Sequence, residues 1–258
     1  VTRSAAAVEH LLAFADDEHM IGARHTSWIG LGPFLEEDLA FCSIAQDELG
    51  HAAALYELVL DLDDGTDHRL DEFALLRGSA DYRSCWLAEA ECGDWNDALV
   101  RHWLYDRAEA LRWEALAASV DRAVAETAAR ALREEAFHAT HAEQFMARIA
   151  RSRDPSPIAA AIGRLLPVAT GIWDPCGDET ALVEAGFVAA PAETLAERWR
   201  SLVEDDLARW GLTIDWPASQ AVAGQLVAQD HRRKRGPGFD AFLEELQRVL
   251  SIDPTATW

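Results

Sequence analysis

The 258-residue sequence predicts an all-α fold: two antiparallel helical hairpins packed as a four-helix bundle core, with additional C-terminal helices. Three observations carry this. Ala, Leu, Glu and Arg abound while Gly (15) and Pro (9) are sparse, a composition that favours helix. Apolar residues recur at three- and four-residue spacing through long segments, and no stretch sustains the alternation of a strand. Half the residues are apolar, enough for a sizeable core.

The elements follow in order. Residues 3–26 form the first helix, with Val8, Leu11, Phe14 or Ala15, Ile21 and Gly22 at helical spacing. GLGP at 30–33 is a turn, with Pro33 suited to the first turn of the next helix, 34–62, which DLDDGTD closes. Residues 66–93 read as short helices, with a connection around ECGDW. Asp94 is an N-cap for a third long helix reaching about Ser119. After a break at 120–122 a fourth runs to about 150, and SRDPSP at 152–157 punctuates the chain. Shorter helical pieces then occupy 157–174, 178–186, 191–211, 217–231 and 238–250. The whole, 1–258, is expected to be one domain, with its core bundle at about 3–150 and its C-terminal helices at about 157–250.

Charge excludes some functions. Acidic residues outnumber basic ones 45 to 23, and the formal net charge of -22 repels nucleic acid and anionic membranes. No run reaches 18 apolar residues, IAAAIGRLLPVATGIW being broken by Arg164 and Pro167, and no signal-like start is present. The expectation is a soluble, cytoplasmic protein. Cys42, Cys85, Cys92 and Cys176 form no CxxC and are expected to be free thiols. The basic HRRKRG at 231–236 is expected to be a solvated loop, a grip on substrate phosphate being the competing reading. The ten Trp residues read as core packing. GxSxG, P-loop and GxGxxG motifs are absent.

Two ExxH motifs carry the chemistry: Glu48–His51 in QDELGH and Glu135–His138 in REEAFH. An i, i+3 pair lies on one helix face, so both side chains can converge on one ion. A dinuclear carboxylate site in a bundle takes such a pair from each of two helices and one Glu from each of the others. Glu18 lies 13 residues before the turn near 31 and Glu48 17 after it; Glu109 lies 12 before the break near 121 and Glu135 14 after it. Each carboxylate is therefore level with its ExxH across an antiparallel pair. Asp17 and Asp106 compete as ligands or as hydrogen-bond partners of a ligating imidazole. The apolar faces around Glu18 (Leu11, Ile21, His25) and Glu109 (His102, Tyr105, Trp113) favour the two Glu residues. His141, which extends the second motif to ExxHxxH, and His102 are further candidates, either to hydrogen-bond a ligand or to serve as one. His10, His19, His68 and His231 have no evident partner in the sequence. Oxygen-rich ligation with one His per metal suits two iron ions, or manganese, better than zinc.

With these residues in view, the chain resembles the A/C subunit family of the bacterial multicomponent phenylacetyl-CoA 1,2-epoxidase, and most resembles the C type. Carrying the resemblance are ADDEHMIGARHTSWIGLGPFLEEDLAFCSIAQDELGHAAALY (15–56), LYDRAEALRWEAL, REEAFHATHAEQF and the tail GPGFDAFLEELQRVLSIDPTATW. The resemblance implies a ferritin-like bundle in which an A subunit carries a di-iron site and a C subunit is a structural partner with a degraded one. This chain keeps Glu18, Glu48, His51, Glu109 and Glu135 where C subunits typically lack ligands. The expectation is thus a non-haem di-iron oxygenase using O2, an electron-donating reductase and a small organic substrate such as an aromatic or acyl-CoA compound, as a homodimer or a heteromer with a homologous subunit. A non-catalytic C-type subunit is the alternative. Ferritin-like iron storage ranks third, because the C-terminal helical third does not fit a minimal cage-forming bundle.

Overall fold

A computed structural model describes residues 5–62, 69–213, 216 and 232–253. Among these, every regular element is helical. The bundle consists of α1 (Ala5–Thr26), α2 (Leu35–Leu62), α5 (Trp95–Ala117) and α6 (Arg122–Ala150). Between the hairpins lie the short α3 (Leu70–Leu75), a 3-10 turn (Ser79–Asp81) and α4 (Trp86–Glu89). The C-terminal part supplies α7 (Ser156–Ala169), which continues as a 3-10 turn to Trp173, then α8 (Glu179–Glu184), α9 (Ala192–Trp210) and α10 (Phe239–Ile252). The helix expected at 217–231, His68, His231 and the last residues of the tail lie outside the described residues.

Local chemistry accounts for the ends of the long helices. The Asp94 carboxylate accepts the Asp97 N–H at 3.0 Å, as the sequence predicts, and Asp121 caps α6 by accepting from Ala123 and Val124. Pro33 lies ahead of α2 rather than in its first turn; the connection is folded instead by Asp38, whose Oδ1 accepts the Gly30 and Gly32 N–H groups. At Gly22 a Cβ would come within 2.9 Å of Glu48 Cβ. Glycine there lets α1 and α2 approach at the height of the first ExxH.

The apolar interior has two parts. One, around Leu11, Phe14, Tyr56, Trp113 and Val124, fills the end of the bundle where α1 and α6 begin. The other joins Leu99, Trp103 and Leu104 of α5 to Ile162, Trp199, Phe239 and Phe242, so that α7, α9 and α10 pack on the bundle. Trp103, Trp113 and Trp199 are buried, as packing residues should be. The stretch Ser156–Trp173 is apolar and long enough to cross a membrane by composition, yet 56% of it is buried in this core. The four cysteines are free.

The HRRKRG segment departs from expectation. Arg232 is 4% exposed: its guanidinium donates to both Asp17 oxygens (2.8 and 2.9 Å) and to the backbone carbonyls of Arg83 and Ile172. Arg235 pairs with Glu89, whose other oxygen accepts the Gly236 N–H. This part of the segment is a buried clasp, its arginines adding positive charge beside two buried acids on α1 and α4.

Candidate metal centre

Three consecutive acids, Asp16, Asp17 and Glu18, are all fully buried on α1, and the helical rotation sends them in three directions. Asp16 accepts from Tyr56 Oη, Arg77 and the Arg83 N–H. Asp17 accepts from Arg112, Arg232 and the Cys85 N–H; burial alone would raise its pKa, but Arg232 and Arg112 outweigh it and hold the carboxyl below the usual range. Glu18 alone turns to the bundle axis. There it meets Glu48 and His51 of α2, Glu109 of α5, and Glu135 and His138 of α6, all buried.

His51 Nδ1 lies 3.5 Å from Glu18, 3.9 Å from Glu48, 3.6 Å from Glu109 and 3.5 Å from Glu135. His138 Nδ1 lies 3.6 Å from Glu48 and 3.1 Å from Glu135. Glu48 and Glu135 therefore each lie near both imidazoles. The ring centroids of the two imidazoles are 6.4 Å apart.

The outer atoms of these side chains are satisfied. His51 Nε2–H donates to Glu134 (2.8 Å), His138 Nε2–H to Asp47 (3.2 Å), Tyr105 Oη–H to Glu18 Oε1 (2.6 Å) and Trp113 Nε1–H to Glu109 Oε1 (2.9 Å). The inner atoms are not. Glu18 Oε2, both oxygens of Glu48 and of Glu135, Glu109 Oε2 and Nδ1 of His51 and His138 are buried without a hydrogen-bond partner. Eight orphaned donors on two overlapping groups of side chains are costly unless cations or protons meet them. Oxygen-rich donors with two imidazoles fit two iron or manganese ions.

Electrostatics agree with the geometry. Burial, then the neighbouring carboxylates, push Glu48 and Glu135 well above the ordinary range and Glu18 up to about 8. Glu109 goes the other way: against burial, His51 and Glu18 hold it at about 2. Burial opposes charge on His51, but Glu109 and Glu18 win and push it up to about 11. Without metal, the cluster thus balances itself by holding protons.

The sequence-predicted residues divide cleanly. Glu18, Glu48, His51, Glu109, Glu135 and His138 come together. Asp17 does not; its oxygens are consumed by arginines. Asp106 sits beside His102, Oδ1 to Nδ1 2.9 Å, rather than next to a cluster imidazole. His102 and His141 form a layer on one side of the cluster with His25 and Phe41. His19 finds Tyr56 Oη at 3.3 Å. Sequence reasoning missed Asp47 and Glu134, which orient the imidazoles in place of Asp17 and Asp106. The signal was present: an acid immediately precedes the Glu of each ExxH. A groove between α2 and α6, lined by Gly50, Ala53, Ala54, Thr127, Arg130 and Ala131, opens over His51 and Glu134.

No curated protein matches this sequence. A family model described as phenylacetic acid catabolic protein matches residues 1–258, the full length over which the bundle and its carboxylate cluster are built, and the chain belongs to that family.

Proposed function

We propose that this chain is a non-haem di-iron oxygenase of phenylacetate catabolism, oxidising an aromatic or acyl-CoA substrate with O2 and electrons from a separate reductase. The supporting observation is the set of eight orphaned donor atoms on six buried side chains. In this reading Glu18, Glu48, His51, Glu109, Glu135 and His138 would hold two iron ions. Bound as a ferrous pair, the metals supply two-electron reduction of O2 beside the substrate.

The chain's own residues do the rest. Asp47 and Glu134 take the Nε2 protons, which leaves each Nδ1 bare toward the cluster. Tyr105 and Trp113 hold the outer oxygens of Glu18 and Glu109. Phe14 and Trp113 (centroids 4.4 Å) close one side of the pocket against water, and Phe41 the other. The α2–α6 groove, floored by small residues, is the approach for substrate. Reconstitution under anaerobic conditions with ferrous iron tests this: about two irons per chain are expected, and well under one would end the proposal.

A second reading is favoured by the likeness to C-type subunits and by exposed apolar side chains at the α1–α2 turn (Ile29, Leu31, Phe34, Leu35 and Leu39). Here the chain docks on a catalytic homologue without doing chemistry. It predicts a stable heteromer whose activity survives Glu48→Ala and His51→Ala, whereas the oxygenase reading predicts loss of activity in both.

A further inference from the structure

Beside the cluster a polar chain crosses an otherwise aromatic layer. Glu37, in the first turn of α2, places Oε2 2.9 Å from His141 Nε2 on α6. His141 Nδ1 lies 3.2 Å from His102 Nε2 on α5. His102 Nδ1 lies 2.9 Å from Asp106 Oδ1, one turn along the same helix. Asp106 in turn precedes Glu109 by one turn on the same face, and its charge is felt at Glu135. The chain runs from side chains that still touch solvent, about 10% exposed at His141 and 9% at Glu37, to a fully buried carboxyl.

Its surroundings keep water out. Phe41, Phe137 and Phe145 contact the two imidazoles, and His25 packs edge-on against His102. Four polar side chains in such a layer cost more than apolar ones of the same volume. Bracing the bundle alone does not explain them, since His102 Nδ1 and Asp106 Oδ1 are close but not aligned as a hydrogen bond, and a rotation of the ring or carboxyl must align them before a proton passes. A path for protons does: each imidazole has one nitrogen facing inward and one outward, which is what relay requires.

We propose that Glu37, His141, His102 and Asp106 form a proton path from the surface to the carboxylate cluster. A proton enters from Glu37 at His141 Nε2, the one on Nδ1 passes to His102 Nε2, and the one on His102 Nδ1 passes to Asp106. One proton enters and one arrives, and no electron moves. Both imidazoles are left in the other tautomer and reset by ring rotation once Asp106 has passed its proton to the cluster. Resting on the oxygenase reading, the path has a purpose: inserting one atom of O2 into a substrate with two electrons consumes two protons to form water, and the cluster side chains that surround the site are buried. The groups around it are consistent with neutral carriers. Burial pushes His102 down to about 3 and His141 to about 4 and lowers His25 as well, with Arg101 adding to the effect at His102 and His25. Asp106 is raised well above the carboxylate range, by burial first, against His138 and Arg107 and with Glu109.

The test needs no metal. In metal-free protein the C=O stretch of the protonated Asp106 carboxyl, identified by its loss in Asp106→Asn, shifts as D2O replaces H2O. Wild-type exchange is expected to be fast, and His102→Gln, which keeps a hydrogen-bonding group but cannot relay, is expected to slow it about 100-fold. His141→Gln, nearer the surface and less demanding of the fold, is expected to do the same. Wild-type exchange rates in the folded variants would overturn the proposal. Iron stoichiometry, measured separately, decides the oxygenase reading whichever way exchange falls.

Discussion

Replacing Asp17 and Glu18, neighbours on α1, is expected to give opposite results. Asp17 sits between two buried guanidiniums, Arg112 at 2.7 Å and Arg232 at 2.8 Å. Asp17→Asn leaves both cations in a site built for an anion, and breaking a buried pair this way costs about 3–5 kcal/mol. For a chain of this size each kcal/mol shifts the melting temperature by about 2–4 °C, so a fall of about 10 °C is expected. The carboxyl is held below its unfolded value, so the stability that it contributes is present above that value and is lost as pH falls. Glu18→Gln removes a carboxyl whose pKa is raised to about 8. A raised value means that its contribution is full below the unfolded carboxylate range and is lost as pH rises toward 8. Metal-free wild-type protein should therefore lose stability between pH 5 and pH 8, and the Gln variant should lose less, by a few kcal/mol at most. Scanning calorimetry of both metal-free variants at the two pH values, with iron content after reconstitution, reads all of this. Asp17→Asn should melt low and still take up iron. Glu18→Gln should melt at or above wild type at pH 8 and lose iron. A Glu18→Gln protein that binds iron as wild type does, or an Asp17→Asn protein that melts normally but has lost it, would refute the assignment of the two acids.

Metal should stabilise the folded chain: at about a hundredfold excess over Kd each site adds about 2.7 kcal/mol, and His51→Ala and Glu135→Ala should abolish the rise in melting temperature. Binding should release protons, about four per chain at neutral pH if Glu18, Glu48, Glu135 and His51 all give theirs up; titration calorimetry in buffers of different ionisation enthalpy counts them, and fewer than one would contradict the protonated cluster. Glu134→Ala and Asp47→Ala remove half-exposed side chains and should leave the fold intact while weakening metal binding about 10–100-fold, as competition with a chelator would report. Gly22→Leu forces a side chain against Glu48 and should cost about 1–3 kcal/mol in stability while lowering iron content.

The bundle and six side chains of the cluster were legible because both depend on helical arithmetic. A rise of 1.5 Å per residue makes equal distances from a turn equal heights, and Glu18 and Glu109 are found at the level of their ExxH partners. What the arithmetic cannot supply is which helix of one hairpin faces which of the other. Glu134 serves His51 and Asp47 serves His138, each across from α6 to α2 or back, and only the packed bundle shows that crossing. The clasp at Arg232 was misread for a related reason. Its partner Asp17 is 215 residues away, and a basic run looks solvated until the acid it must neutralise is known. Asp16, Asp17 and Glu18 were indistinguishable by type, and burial came with the partner each one found.

Those three acids also bear on whether the site is more than a relic. Several buried carboxylates of the fold are met by arginine: Asp16 with Arg77, Asp17 with Arg112 and Arg232, Glu89 with Arg235, Asp206 with Arg107. Arginine is available to this chain, and the described residues still bring none to Glu18, Glu48, Glu109 or Glu135. A subunit kept only for docking would gain stability from leucine or an ion pair at those positions, since buried unpaired acids are among the most expensive groups a core can hold. Apart from Asp106 and Glu37, which pairs with His141, the buried acids without an arginine among the described residues are those of the cluster, where eight buried donor atoms have no hydrogen-bond partner and protons balance the charge in the absence of metal. A cluster built this way could hold metal ions, as a relic selected only for docking would have no reason to.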